Sequence, residues 1–222
     1  METDLIVPER FFHLKSSLAD PEASRDFANS RELIGKSWAA VLIAISNTDD
    51  PDIVFTERST RLRNHPGQIA FPGGRQDPGD KGPAGTALRE ANEEVGLHPD
   101  SVHLLGKLPP FAVPVSQFDV VTVVGFWDGK QQLKPVDLGE VASVQRWTIA
   151  ELSDPKNRVS SLHSSGHIGP AWQCGEYFLW GFSGLLVDHL LKLGGWEKPW
   201  DRDKIAKVPK RYRSDLPQLE DN

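Results

Sequence analysis

The sequence predicts an α+β fold on three observations: two adjacent strand-length apolar runs, an amphipathic helix in mid-chain, and a leucine-rich helix after further strands. Residues 1–37 come first. They place Leu5, Ile6, Phe11, Phe12, Leu14 and Leu18 among polar positions at helical spacing, which reads as an N-terminal helical extension. WAAVLIAIS, Trp38 to Ser46, is continuously apolar, and DIVFTER, Asp52 to Arg58, is a second run beyond the turn-forming residues 47–51, so the two read as a hairpin. After a glycine-rich loop, residues 83–95 are rich in helix formers. Ala84, Ala87, Leu88, Ala91 and Val95 form an apolar stripe, Pro83 suits the first turn, and Gly96 stands where a helix stop is expected. Strands are expected at 102–108, 119–127, 141–147 and 176–180, with a helical turn at 149–152. A closing helix at 181–193 should bury Leu185, Leu186, Leu190 and Leu193. From Asp201 the chain is charged and contains proline, which predicts weak packing. The expected division is an extension (1–37), one main domain with its closing helix (38–200) and a flexible tail (201–222).

Composition narrows the function classes. A hydrophobic content of 38% in 222 residues is enough for a packed core, which excludes a disordered scaffold. With 25 Lys+Arg against 31 Asp+Glu the net charge is -6, so the long-range field opposes nucleic acid and anionic membrane as partners. An anionic small molecule therefore needs local positive charge. The single cysteine, Cys174, has no intramolecular disulfide partner, and no apolar run matches a signal-peptide core or a membrane span, so a cytoplasmic location is expected. Cys174 reads as a small core residue, and a homodimer stays open.

The segment LREANEEVGL, residues 88–97, carries the chemistry. Glu90, Glu93 and Glu94 are spaced i, i+3, i+4 and should project from one helix face. Three like charges at that spacing repel, and a hard divalent cation such as Mg²⁺ or Mn²⁺, with its preference for oxygen ligands, would offset the repulsion. A solvated acidic face fits the spacing equally well. The context is Phe71-Pro72-Gly73-Gly74, where the backbone can approach a ligand closely and a free carbonyl can ligate, followed by Asp77 and Asp80. This arrangement, from Gly74 to Leu97, resembles the Nudix box. It departs from the box in having Asp80 in place of the first glutamate and eight residues, not seven, between that acid and Arg89. The same lengthening is associated with the coenzyme A branch of that family. Upstream, Thr56-Glu57-Arg58-Ser59, Arg63, Gly67 and Phe71 to Gly74 resemble the coenzyme A Nudix motif at every fixed position from Thr56, with Val54 and Phe55 replacing two leucines.

The resemblance implies an α/β/α sandwich around a mixed sheet over residues 38–200, and metal-dependent hydrolysis of a nucleoside diphosphate linked to another group. For the coenzyme A branch it implies cleavage of coenzyme A or acyl-CoA to 3',5'-ADP and 4'-phosphopantetheine. Under that reading Glu90, Glu93, Glu94, the Gly73 carbonyl and Asp80 are the metal candidates, Asp80 serving through water or as a helix cap. Arg89 orients the carboxylates. Arg58, Arg61, Arg63 and Gly74 contact the substrate. Glu140, in the loop before the strand at 141–147, is the first choice of general base, and Glu90 is its rival. NADH or ADP-ribose as substrate, and a catalytically silent binding module, remain alternatives. His65 is a further phosphate candidate, and His163 and His167 read as loop residues. Trp196 and Trp200 are expected to clamp the C-terminal end, while Ser59 and Ser183 lack triad partners.

Overall fold

The computed structural model describes residues 6–28, 32–35, 37–113, 117–163, 166 and 168–212, so the expectations for Leu5, His167 and residues 213–222 lie outside it. In chain order the elements are α1 (Phe12–Ala19), α2 (Arg25–Ala28), β1 (Trp38–Ser46), β2 (Asp52–Arg58), β3 (Ile69–Ala70), β4 (Gly73–Arg75) and α3 (Gly82–Val95). Next come β5 (His103–Lys107), β6 (Phe111–Val113), β7 (Phe118–Trp127), β8 (Val141–Thr148), α4 (Ile149–Ser153), β9 (Arg158–Leu162) and β10 (Ile168–Cys174). The chain closes with β11 (Tyr177–Leu179), α5 (Gly181–Leu193) and β12 (Ile205–Lys207).

The main sheet runs β3-β2-β1-β7-β5, with β8 on β2, β4 on β1 and β6 on β7. Only β1 and β7 pair in parallel within it, from Trp38↔Asp119 to Ser46↔Trp127, so the sheet is mixed. Strand alternation splits the core by face. Ile43, Ile45, Ile53, Phe55, Val124 and Phe126 meet α1 and the leucines of α5, whereas Ala40, Leu42, Ala44, Val54 and Val123 meet Ala87, Ala91 and Val95 of α3. Helices thus cover both faces, as the resemblance implied. The small residues on α3 let that helix approach the sheet closely.

Most elements lie where the sequence places them: α5 has the expected bounds, and Gly96 closes α3 in the left-handed region at φ 74°. Others differ. The N-terminal segment is helical but is no appendage, since Phe11 and Leu14 are buried in the main core and Phe11 stacks on Phe126 at 5.3 Å. β9 and β10 form a second sheet, ordered β11-β10-β9-β12, that periodicity did not reveal. The expectation of a poorly packed tail fails through Tyr212: β12 pairs in parallel with β9, and Val208 and Tyr212 are buried. Short polar-rich strands such as RVSSL carry little hydrophobic signal, and their order comes from pairing. Trp196 packs on the main core and Trp200 stacks on Arg158 at 4.3 Å, the clamp expected of them.

Candidate active site

Three elements meet at one end of the main sheet. Gly73 and Gly74 lie on β4, opposite Val41 and Ala40 of β1, with no room for side chains. A Cβ on Gly73 would overlap the β1 backbone, and one on Gly74 would overlap the Glu90 carboxylate. The glycines therefore bring α3 against the strand. Gly73 N–H donates to Glu94 Oε2 at 3.1 Å. Glu90, Glu93 and Glu94, expected to project from one helix face, stand at different depths. Glu94 is buried, with 6% exposure, because its turn of the helix faces β4. The Glu90 side chain is 15% exposed and that of Glu93 57%.

Arg89 organises this face. Its Nε donates to Asp80 Oδ1 at 3.0 Å, Nη2 to Asp80 Oδ2 and to the Arg75 carbonyl at 3.0 Å each, and Nη1 to Glu93 Oε2 at 2.8 Å. Nη1 also stands 3.0 Å from Glu90 Oε1. Asp80 has a role the sequence did not disclose. Its carboxylate accepts from Arg89, from Thr86 Oγ1 at 2.9 Å and from Asp77 N–H at 2.8 Å, which holds its pKa well below the usual carboxylate range. It does not cap α3, whose N-cap is Lys81 with no side-chain bond. Asp80 thus anchors Arg89, and both its oxygens are already engaged.

The arginine-bearing loop enters from β2. A register shift between Glu57 and Arg58 turns the strand end, and Ser59 N–H donates to the Glu140 carbonyl at 2.7 Å, tying this loop to the one before β8. Alternation puts Glu57 on the α5 face, where it accepts from Ser143 Oγ at 2.7 Å, and Arg58 on the α3 face, where its charge favours ionised Glu94. Arg58 Nε is buried and without a hydrogen-bond partner. Arg61 and Arg63 are exposed and have no acidic partner among the described residues, so the salt bridges that would explain them away are absent there. The loop residue His65 has a positive φ of 56°. The exposed Glu140 is close enough for its charge to act on both Glu90 and Glu94.

Burial raises the pKa of Glu90 and pushes that of Glu94 up to about 8, and the neighbouring carboxylates add to both shifts. Glu94 is thus a buried acid with one backbone donor and two like-charged neighbours. Among the described residues no three Asp, Glu, His or Cys side chains surround a common point as a finished cation cage. What fits a hard divalent cation is the donor chemistry, since Glu90 and Glu94 are oxygen donors whose ionised forms are disfavoured as they stand. Elsewhere, burial pushes the Cys174 thiol up to about 12, which suits a core residue. No helix among the described residues is long and apolar enough to cross a membrane.

The arrangement can bind a diphosphate beside a pair of carboxylates, with a further carboxylate available to take a proton. Comparisons with known proteins bear on the family. The family model of the NUDIX domain matches residues 36–164. An uncharacterized Nudix hydrolase, NudL, of Enterobacter sp. (strain 638) is 34% identical over 204 residues, covering 87% of this chain and 98% of its own. The NudL of Cronobacter sakazakii is 34% identical over 209 residues, covering 90% and 100%. A solved NUDIX hydrolase from Alicyclobacillus acidocaldarius overlaps 72% of this chain and 91% of its own at 18% identity, with a TM-score of 0.47.

Proposed function

Since the chain belongs to the Nudix hydrolase family, we propose that it cleaves the pyrophosphate of coenzyme A or an acyl-CoA, releasing 3',5'-ADP and (acyl-)4'-phosphopantetheine. The observation that carries this reading is the shared sheet face of Arg58 and Glu94, with the arginine loop tied through Ser59 to Glu140. Cationic and acidic groups are both required. A diphosphate needs neutralisation, which Arg58, Arg61 and Arg63 supply in a chain of net charge -6. When bound, Mg²⁺ or Mn²⁺ supplies further charge neutralisation and polarises the pyrophosphate. Glu90 and Glu94 would be its principal protein ligands, with the Gly73 carbonyl and Glu93 as further oxygen donors. Arg89, fixed by Asp80, holds Glu90 in place. Glu140 takes the proton of the attacking water, since it is exposed beside the cluster and not committed to an ion pair among the described residues. The substrate is a small molecule reached from solvent, and the protein acts in the cytoplasm without membrane or nucleic acid.

A substrate panel tests the assignment. Coenzyme A, acetyl-CoA, NADH and ADP-ribose are incubated with Mg²⁺ or Mn²⁺ and the products identified by mass. Phosphopantetheine from coenzyme A is the expected result. Fast turnover of NADH or ADP-ribose with coenzyme A untouched would end the coenzyme A reading, and no turnover of any would end the enzymatic one.

A further inference from the structure

The segment after α5 reaches the arginine loop. β12 brings Val208 and Tyr212 into a small core with Val159, Ala171 and Phe178. Tyr212 is 1% exposed. Its hydroxyl accepts from the Phe178 N–H of β11 at 3.4 Å, and its carbonyl accepts from Gln68 Nε2 at 3.3 Å. Its ring covers Gly67, where an added Cβ would stand 3.9 Å from the ring and 3.8 Å from Thr60 Cγ2. Gly67 and Gln68 in turn close the loop on Arg58: Gly67 N–H donates to the Arg58 carbonyl at 3.0 Å, and Arg58 N–H to the Gln68 carbonyl at 2.9 Å. A continuous path of contacts therefore joins the second sheet to the backbone of the arginine whose charge reaches Glu94.

We propose that Tyr212, acting with Gln68, is a positioning residue that holds the arginine loop, and through it Arg58, in place against the carboxylate cluster. This rests on the reading of that loop as the contact for an anionic diphosphate. Fixing the loop before binding reduces the ordering cost on association, so its loss should weaken substrate binding more than the chemical step.

The test compares full-length Tyr212→Ala, Tyr212→Phe, Gln68→Ala and Val159→Ala with the parent chain. Val159→Ala loosens the same small core without touching the loop contacts described above, and serves as the control for lost stability. Hydrogen exchange is read at the Arg58 and Gly67 amides, and KM and kcat are measured with coenzyme A and Mg²⁺. Tyr212→Ala should speed exchange at both amides and raise KM about 10-fold with kcat little changed. Gln68→Ala should move both readouts in the same direction by less, and Tyr212→Phe, which keeps the ring, should restore both. Exchange and KM in Tyr212→Ala no different from Val159→Ala would overturn the proposal, as would faster exchange with unchanged KM. If the parent chain cleaves NADH or ADP-ribose instead, the coenzyme A assignment fails while the same comparison on that substrate still decides the role of Tyr212. If it cleaves none, exchange alone decides whether Tyr212 holds the loop.

Discussion

Glu94 and Arg158 are both buried ionisable residues, and the protein treats them in opposite ways. Arg158, 1% exposed, is ion-paired with Asp188 and lies 3.3 Å from Glu197. Its guanidinium is stacked at 4.8 Å on Trp172 and 4.3 Å on Trp200. Two carboxylates and two aromatic faces within the fold compensate its charge, although its Nε is buried without a hydrogen-bond partner. Glu94 receives one backbone hydrogen bond, the more distant charge of Arg58, and the repulsion of Glu90 and Glu140. The difference teaches where each charge is meant to be satisfied. The charge of Arg158 is balanced in the folded chain, where it joins α5, β9, β10 and residues 197–200. Glu94 is left incomplete, as expected of a group whose partner arrives with function.

The largest expected effect tests that contrast directly. Glu94→Gln should abolish nearly all hydrolysis while raising the melting temperature in the presence of a chelator at neutral pH, because folding no longer has to protonate an acid that burial disfavours in its ionised form. Activity close to that of the parent at saturating Mg²⁺ would show that Glu94 is structural. Glu140→Gln should lower kcat by about 10²- to 10⁴-fold with KM nearly constant. A change of only a few-fold, measured under the same conditions, transfers the base to Glu90.

On the other side of the comparison, Arg158→Met should cost about 3 kcal/mol of stability in chemical denaturation, since it leaves Asp188 with Lys192 as its remaining partner and Glu197 with none among the described residues, and should leave kcat unchanged. Adding Asp188→Leu should recover part of the loss; if the double variant is no better than the single, the ion pair is not the source. A further effect is in pH dependence. The folded protein holds Glu94 protonated up to about 8, whereas its ordinary value is 4.5. The folded state therefore binds the extra proton, and its contribution to stability is full below 4.5 and lost as pH rises through about 8. In metal-free buffer the stability of the parent should fall relative to Glu94→Gln across that window, and parallel curves would contradict the raised pKa.

Much of the fold and the choice of candidate groups was open to sequence reading, because both rest on local patterns. Alternation and apolar runs mark β1, β2 and β7, the Pro83 to Gly96 punctuation frames α3, and the i, i+3, i+4 spacing of the glutamates with Gly73-Gly74 points to the site. The same patterns tie Arg58, Arg61 and Arg63 to that site through motif resemblance. What they cannot carry is the depth of a side chain or the identity of a partner distant in sequence. Periodicity places Glu90, Glu93 and Glu94 on one stripe, but only the approach of β4, permitted by two glycines without side chains, buries Glu94 and leaves Glu93 to Arg89. Asp80 as the anchor of Arg89 and Ser59 as the link to Glu140 depend on how loops meet. So does the seat of Tyr212 over Gly67. β12 reads as tail because a three-residue strand has no period of its own; its order comes from β9, which is formed by residues more than forty positions earlier in the chain. Local sequence thus singled out the candidate groups, and long-range packing decided which of them are buried, paired or exposed.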